Sequence, residues 1–431
     1  MARATPGIDF GTTNSALALL DDGALRLAQH LADDGGRTST FRSVLHFVGR
    51  GDVVAGPTAI ARYLAADGEG RLIQSLKSHL ASEIRGTVVL GKTYSLEELA
   101  AILARALRVS SERELGPLGR RAVVGRPVRF VGASNDADDA KAAARLRAAF
   151  ALAGFDEVTF AYEPVGAAYH YESTLSHDER VLIGDFGGGT SDFCLIDVGP
   201  GARARRRDDP HYGIVGTEGV GLAGDALDGE LVGHIVAPVL GQGSHYRSYM
   251  NQRDIAVPPW IYEKLKKWHH LSFLKAPDTM RFLQEIRAQS LQPEAIEALL
   301  HVVESDLGYH IARSVEATKV ALSNAATAPL RFVDDPVHIE ADIARADFEH
   351  WVAPRLDAIA QSVDRLLEKT ATSAGDVDRV FLTGGTSLVP AVRSLFERRF
   401  GAAKVRTGDA LTSVALGLAR IAADLYGPLV A

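Results

Sequence analysis

Asp9-Phe10-Gly11-Thr12-Thr13-Asn14-Ser15 and Asp185-Phe186-Gly187-Gly188-Gly189-Thr190-Ser191 are two copies of one phrase, set far apart in a chain of 431 residues. Each lies between short apolar runs of strand character. In each, an apolar stretch delivers an aspartate at its end, a glycine lets the backbone reverse, and small residues leave main-chain amides free to face an anion. The pair reads as a phosphate site built twice. Asp9 and Asp185, at strand ends, suit a hydrated divalent ion such as Mg²⁺ held against phosphates. One copy alone would be as well explained by an aspartate capping its own turn; the repetition favours the site. Gly187, Gly188 and Gly189 remove three side chains in a row, which is costly in backbone entropy unless something must approach the main chain. Asp185 and Asp192 frame them, with Thr190 between.

A net charge of −7, with 46% hydrophobic and 23% charged residues, describes ordinary globular material. The length suggests two or three lobes. The charge leaves no footprint for nucleic acid. Arg203 and Arg205 to Arg207 follow Gly199-Pro200-Gly201 and read as a solvated hairpin tip. Cys194, the lone cysteine, lies in the apolar run Phe193 to Val198; it excludes an intramolecular disulfide and reads as a buried thiol. The N-terminus enters a strand within a few residues, without a signal-peptide pattern, and no window reaches eighteen uninterrupted apolar residues. A cytoplasmic protein without membrane contact is expected.

The coarse order is strand–turn–strand over Pro6 to Leu20, apolar strands at Val44 to Val48 and Val53 to Ala55, and a helix from Leu96 capped by Ser95 with Glu98 three residues on. A strand at Ala122 to Val124 ends at Gly125-Arg126-Pro127. A helix over Asp138 to Gly154 and a strand over Val158 to Tyr162 follow. The second half repeats the opening with Val181 to Asp185, the glycine turn, Phe193 to Val198, and a return strand near Tyr212 to Val215. Residues from about Ala256 to Ser323 read as mostly helical, including a long stretch from Pro293. A strand pair near Leu330 and His338, a helix over Arg345 to Lys369, and a strand over Val380 to Thr383 that breaks at Gly384-Gly385 and opens a helix at Pro390 follow. Two similar α/β halves imply two lobes around a central cleft, where ligands of such folds bind. A strand–Gly-Gly–helix turn at Gly384-Gly385-Thr386 permits close approach to a nucleoside. No Gly-x-x-x-x-Gly-Lys-[Ser/Thr] occurs, so a P-loop NTPase is not supported.

Gly7-Ile8-Asp9-Phe10-Gly11-Thr12-Thr13-Asn14-Ser15 resembles the first phosphate motif of the Hsp70 chaperone family. Asp185 through Asp192 resembles its second phosphate motif, and Val380-Phe381-Leu382-Thr383-Gly384-Gly385-Thr386-Ser387-Leu388-Val389-Pro390 its adenosine motif. Tyr162-Glu163-Pro164-Val165-Gly166-Ala167-Ala168 and Leu222-Ala223-Gly224-Asp225-Ala226-Leu227-Asp228 are similar to two further family segments. The resemblance implies an α/β actin-like ATPase fold with two RNase H-like lobes, residues 1–178 and 179–431, and an extended helical subdomain at about 225–325. It also implies ATP or ADP with Mg²⁺ and accompanying monovalent cations such as K⁺. By position, Asp9, Asp185 and Asp192 would surround the metal. Thr190 would line the attacking-water site, Lys77 would reach the γ-phosphate and orient that water, and Glu163 would hold metal-bound water. Glu316, Lys319 and Ser323 fall on one helix face and match the family's adenosine-contacting helix.

Two departures bear on function. The family places arginines at the positions of Val320 and Leu388; the aliphatic side chains here imply weaker or less base-selective binding. The sequence also stops at Ala431 and resembles short bacterial Hsp70-like proteins of the YegD type, so a chain without the family's peptide-gripping β-sandwich is expected. The expectation is an ATP-binding, slowly hydrolysing, monomeric protein whose nucleotide state controls lobe closure and a partner, a protein client or co-chaperone, with peptide holding and J-protein coupling in doubt. Two alternatives share the fold. A sugar-type small-molecule kinase needs a second-substrate pocket with a catalytic aspartate, and no such signature surrounds Asp192 or Asp225. An actin-like filament former is disfavoured by the long helical region after Ala256.

Overall fold

The computed structural model describes residues 5–32, 35–49, 51–66, 69–206, 213–248, 253–267, 270–271, 274–408 and 411–427. The chain divides into two compact units, Met1–Gly224 with Leu356–Ala431, and Asp225–Arg355.

The larger unit holds the duplication. Its first half carries β1 (Gly7–Phe10), β2 (Asn14–Asp21), β3 (Ala24–Leu27), α1 (Leu96–Leu115), β4 (Arg121–Arg126), α2 (Asp136–Leu152), β5 (Glu157–Tyr162) and α3 (Glu163–Glu172). Its second half carries β6 (Glu179–Phe186), β7 (Ser191–Val198) and β8 (Ile214–Val220). In the first sheet the order is β5-β4-β1-β2-β3, with a short Phe41–Arg42 strand also pairing β2. The antiparallel meander β1-β2-β3 continues into parallel β4 and β5.

The smaller unit contributes the helix α4 (Gly308–Asn324) and a two-stranded ribbon, Thr327–Asp334 with Val337–Ala344. The ribbon matches the strand pair read near Leu330 and His338. The stretch read as continuous from Pro293 is two helices, Pro293–Glu304 and α4. The break falls at Asp306, whose φ of 55° is left-handed and interrupts the helical path. The boundary between units lies inside the next helix, α5 (Arg345–Lys369).

After α5 the larger unit resumes with β9 (Arg379–Thr383), α6 (Pro390–Phe400), β10 (Val405–Thr407) and α7 (Ser413–Tyr426). The second sheet runs β8-β7-β6-β9-β10. The connectivity of the first sheet is thus repeated strand for strand, with β7 and β8 antiparallel beside β6 and with β9 and β10 parallel beyond it.

Ser95 and Glu98 form the expected capping box, and α1 runs on to Leu115 with Leu99, Leu103 and Leu107 buried. Phe10 meets Phe150 edge-on at 5.5 Å in the first core. Phe186, Phe193 and Phe396 form the matching cluster behind the second glycine turn. Helix α7, unread in the sequence, packs beside α3, and a Cβ at Gly417 would lie 1.6 Å from the Gly166 carbonyl oxygen. That crossing therefore needs glycine. Arg203 and Arg205 belong to a short helix, Pro200–Arg206, rather than to a hairpin tip; Arg207 lies outside the described residues. The return strand begins at Ile214, and Tyr212 lies outside the described residues. Among the described residues no helix is long and apolar enough to cross a membrane.

Candidate phosphate and metal site

Both glycine phrases fold into tight reversals at the same end of their hairpins. A Cβ on Gly11 would sit 2.0 Å from the Asn14 carbonyl oxygen, so this turn closes only around glycine. Thr12 and Thr13 complete it. Asn14 opens β2, and its side-chain oxygen accepts a hydrogen bond from Arg42 Nη1 at 3.4 Å. The second turn closes through Gly187 N–H donating to the Thr190 carbonyl at 3.0 Å, and Gly187 to Thr190 are all at least partly exposed. A Cβ on Gly189 would stand 3.4 Å from Ser78 Oγ and 3.6 Å from Thr12 Oγ1. The first turn, the second turn and the segment after Lys77 therefore converge at Gly189.

The third segment is built against the second. Gly384 has φ of 84°, and a Cβ there would fall 2.1 Å from the Phe186 carbonyl oxygen. Thr386 Oγ1 donates to the Gly187 carbonyl at 3.1 Å, and Gly224 N–H donates to the same oxygen at 3.3 Å. Gly385 and Leu388 face outward, Leu388 being 58% exposed.

Behind these turns lies a buried charged cluster. Lys77, on the 3₁₀ turn Leu76–His79, is hydrogen-bonded and ion-paired to Glu163, the first residue of α3. Asp185 and Asp192 stand opposite each other across the β6–β7 hairpin. Asp192 Oδ1 accepts the Val128 N–H at 2.7 Å. Burial, then the nearby Glu163 carboxylate, pushes Asp9 up to about 7. The same causes push Asp192 up to about 7 against a hydrogen bond from Thr190. Burial, then Glu163, Asp9 and Asp192, hold Asp185 well above its ordinary value. Burial pulls Lys77 down, but Glu163 and Asp9 outweigh it and keep the ammonium charged.

Four carboxylates around one ammonium leave an excess of buried negative charge that a hard cation would neutralise. Among the described residues no three metal-ligating side chains come close enough to form a cage by themselves. That donor set fits Mg²⁺, which keeps waters and takes few carboxylates alongside phosphate oxygens.

The remaining candidates belong to the smaller unit. Glu316, Lys319 and Ser323 lie half-buried along α4, as the spacing predicts. Lys319 Nζ pairs with the Asp228 carboxylate at 2.8 Å, and Ser323 Oγ donates to the Lys319 carbonyl at 3.2 Å. Burial, then Asp228, raises Asp225 to about 6. Val320 on the same helix is 57% exposed.

Sequence reasoning passed over the 127–130 loop, whose amide meets Asp192, and over Gly219, where a Cβ would lie 2.9 Å from Asp192 Oδ1. Gly125-Arg126-Pro127 reads only as a strand end. The pairing of Asp192 with Gly219 across β7 and β8 could have marked the approach, but only with register in hand.

The family model described as Hsp70 protein matches residues 304–429. The chaperone protein DnaK of Thermosipho melanesiensis is 25% identical to this chain over 424 residues, covering 98% of this chain and 59% of that protein. The chain thus spans less than two thirds of the length of this relative.

Proposed function

We propose that this chain is an Hsp70-family nucleotide-binding domain with that family's actin-like ATPase fold, and that it binds ATP and ADP with Mg²⁺ and hydrolyses ATP slowly; the match of residues 304–429 to the Hsp70 family model and the likeness to DnaK over 424 residues support the reading. In this reading, nucleotide state sets the closure of two lobes, residues 1–178 and 179–431, and thereby controls a protein client or co-chaperone in the cytoplasm. The observation that carries it is the convergence of both glycine turns beside a charged cluster of half-buried Asp9 with buried Lys77, Glu163, Asp185 and Asp192.

The proposed division of labour follows from chemistry. Gly11 to Asn14 and Gly187 to Thr190 present amides and hydroxyls to phosphate oxygens. Asp9, Asp185 and Asp192 would hold Mg²⁺ and an accompanying K⁺; a divalent ion bound there neutralises phosphate charge. Lys77 exchanges part of its pairing with Glu163 for the terminal phosphate and orients the attacking water beside Thr190. Glu163 would orient water in that ion's shell. Gly384, Gly385, Thr386 and Leu388 take the nucleoside. Such phosphoryl transfer depends on positioning and charge stabilisation more than on covalent help from the protein.

The test is Mg²⁺-dependent ATP turnover by the native chain, Lys77→Ala and Asp185→Asn. Turnover should fall about 100-fold in each variant. Equal rates in all three would remove the assigned roles.

A further inference from the structure

Arg126 ends β4, and its side chain folds back over the loop that follows. Its Nε donates to the Pro127 carbonyl at 3.0 Å and its Nη2 to the Val128 carbonyl at 3.4 Å. Nη2 also pairs with Asp139 in the first turn of α2. The other Asp139 oxygen accepts the Phe130 N–H at 2.9 Å. The guanidinium lies over the Phe130 ring at 5.1 Å and over Tyr162 at 5.3 Å. Both charges are largely buried, with side-chain exposures of 15% and 18%. A planar fork held at several points fixes a backbone far better than a lone ammonium.

What this clamp holds is the Val128 N–H, which donates to Asp192 at 2.7 Å. Gly219 has no side chain to intrude there: a Cβ would meet Asp192 Oδ1 at 2.9 Å and Val128 Cβ at 3.4 Å. Tyr162, under the same guanidinium, is Arg126's partner across β4 and β5 and immediately precedes Glu163. The clamp thus stands behind two of the cluster's carboxylates, one reached from each half of the duplication.

We infer that Arg126, through its pair with Asp139, is a positioning residue that orients the Asp192 carboxylate toward the cation. The inference rests on the proposed function for the identity of that cation. Outer partners of metal-facing carboxylates set affinity and activity through such hydrogen bonds, typically by about 10–100-fold.

Two variants separate positioning from folding. Arg126→Met keeps the length and loses the fork. Asp139→Asn keeps an acceptor for Phe130 and loses the ion pair. Hydrogen exchange without ligand should quicken at the Val128 and Phe130 amides in Arg126→Met by about 10-fold, with α2 and β4 still protected. Titration of Mg²⁺ at fixed ATP should show half-saturation rising by about 10-fold in both variants, with Mg²⁺-free ATP binding unchanged and Arg126→Lys restoring part of the loss. Unchanged exchange at Val128, or an unchanged Mg²⁺ requirement, overturns the inference. Failure of the native chain to bind nucleotide would instead overturn the proposed function, while the exchange measurement still reads the clamp.

Discussion

Asp185 illustrates a side chain placed for something other than stability. It is buried beside Asp9, Asp192 and Glu163, with Lys77 as the opposing charge, and its carboxyl is held well above its ordinary value chiefly by burial. A carboxyl raised in the folded state contributes fully below its unfolded pKa and loses that contribution as pH rises through its folded pKa. For Asp9 and Asp192 the window runs from 3.8 to about 7. The nucleotide-free chain should therefore lose stability through this cluster as pH rises toward neutrality. Asp185→Asn removes one of these charges without changing shape. Its thermal midpoint without nucleotide should exceed that of the native chain by about 1–3 °C above pH 7; a lower midpoint would contradict the account. Burial likewise pushes the Cys194 thiol up to about 12. It should stay inert to thiol reagents until the chain unfolds, and labelling of native protein would refute that.

Helix α1 and helix α7 show why some elements are legible and others are not. Helix α1 announces itself through a capping pair and an apolar period, and Ser95 Oγ accepts the Glu98 N–H at 3.1 Å as that pair requires. Ser95→Ala should cost about 1 kcal/mol in denaturant unfolding. Helix α7 lacks a sustained polar face to betray its period, because Val414, Leu418, Ile421 and their small neighbours are buried nearly all round. Its place depends on Gly417 meeting Gly166, and on Gly7, whose Cβ would lie 2.0 Å from the Ala419 amide nitrogen. These are contacts between distant segments that no local pattern encodes. Gly417→Val should unseat the helix and lower the unfolding midpoint by far more than Ser95→Ala does; equal effects would show that the crossing is not tight.

Across the molecule, the duplication was readable because each half begins with the same aspartate-and-glycine phrase. The structure extends that likeness to the strand order of two sheets, β5-β4-β1-β2-β3 and β10-β9-β6-β7-β8. Asp9 and Asp185 sit one residue from the end of β1 and β6, so the repeated topology places them equivalently. The glycine turns of the candidate site were legible where turn chemistry acts locally, as at Gly11 and Gly187. It was not legible where a neighbouring backbone supplies the partner, as Val128 does for Asp192. Calorimetric titration of the folded native chain with ATP and Mg²⁺, beside Asp185→Asn, tests the central claim most directly. The account predicts saturable binding by the native chain, weakened by about 10-fold or more in the variant; a folded native chain that takes up neither ATP nor ADP would contradict it.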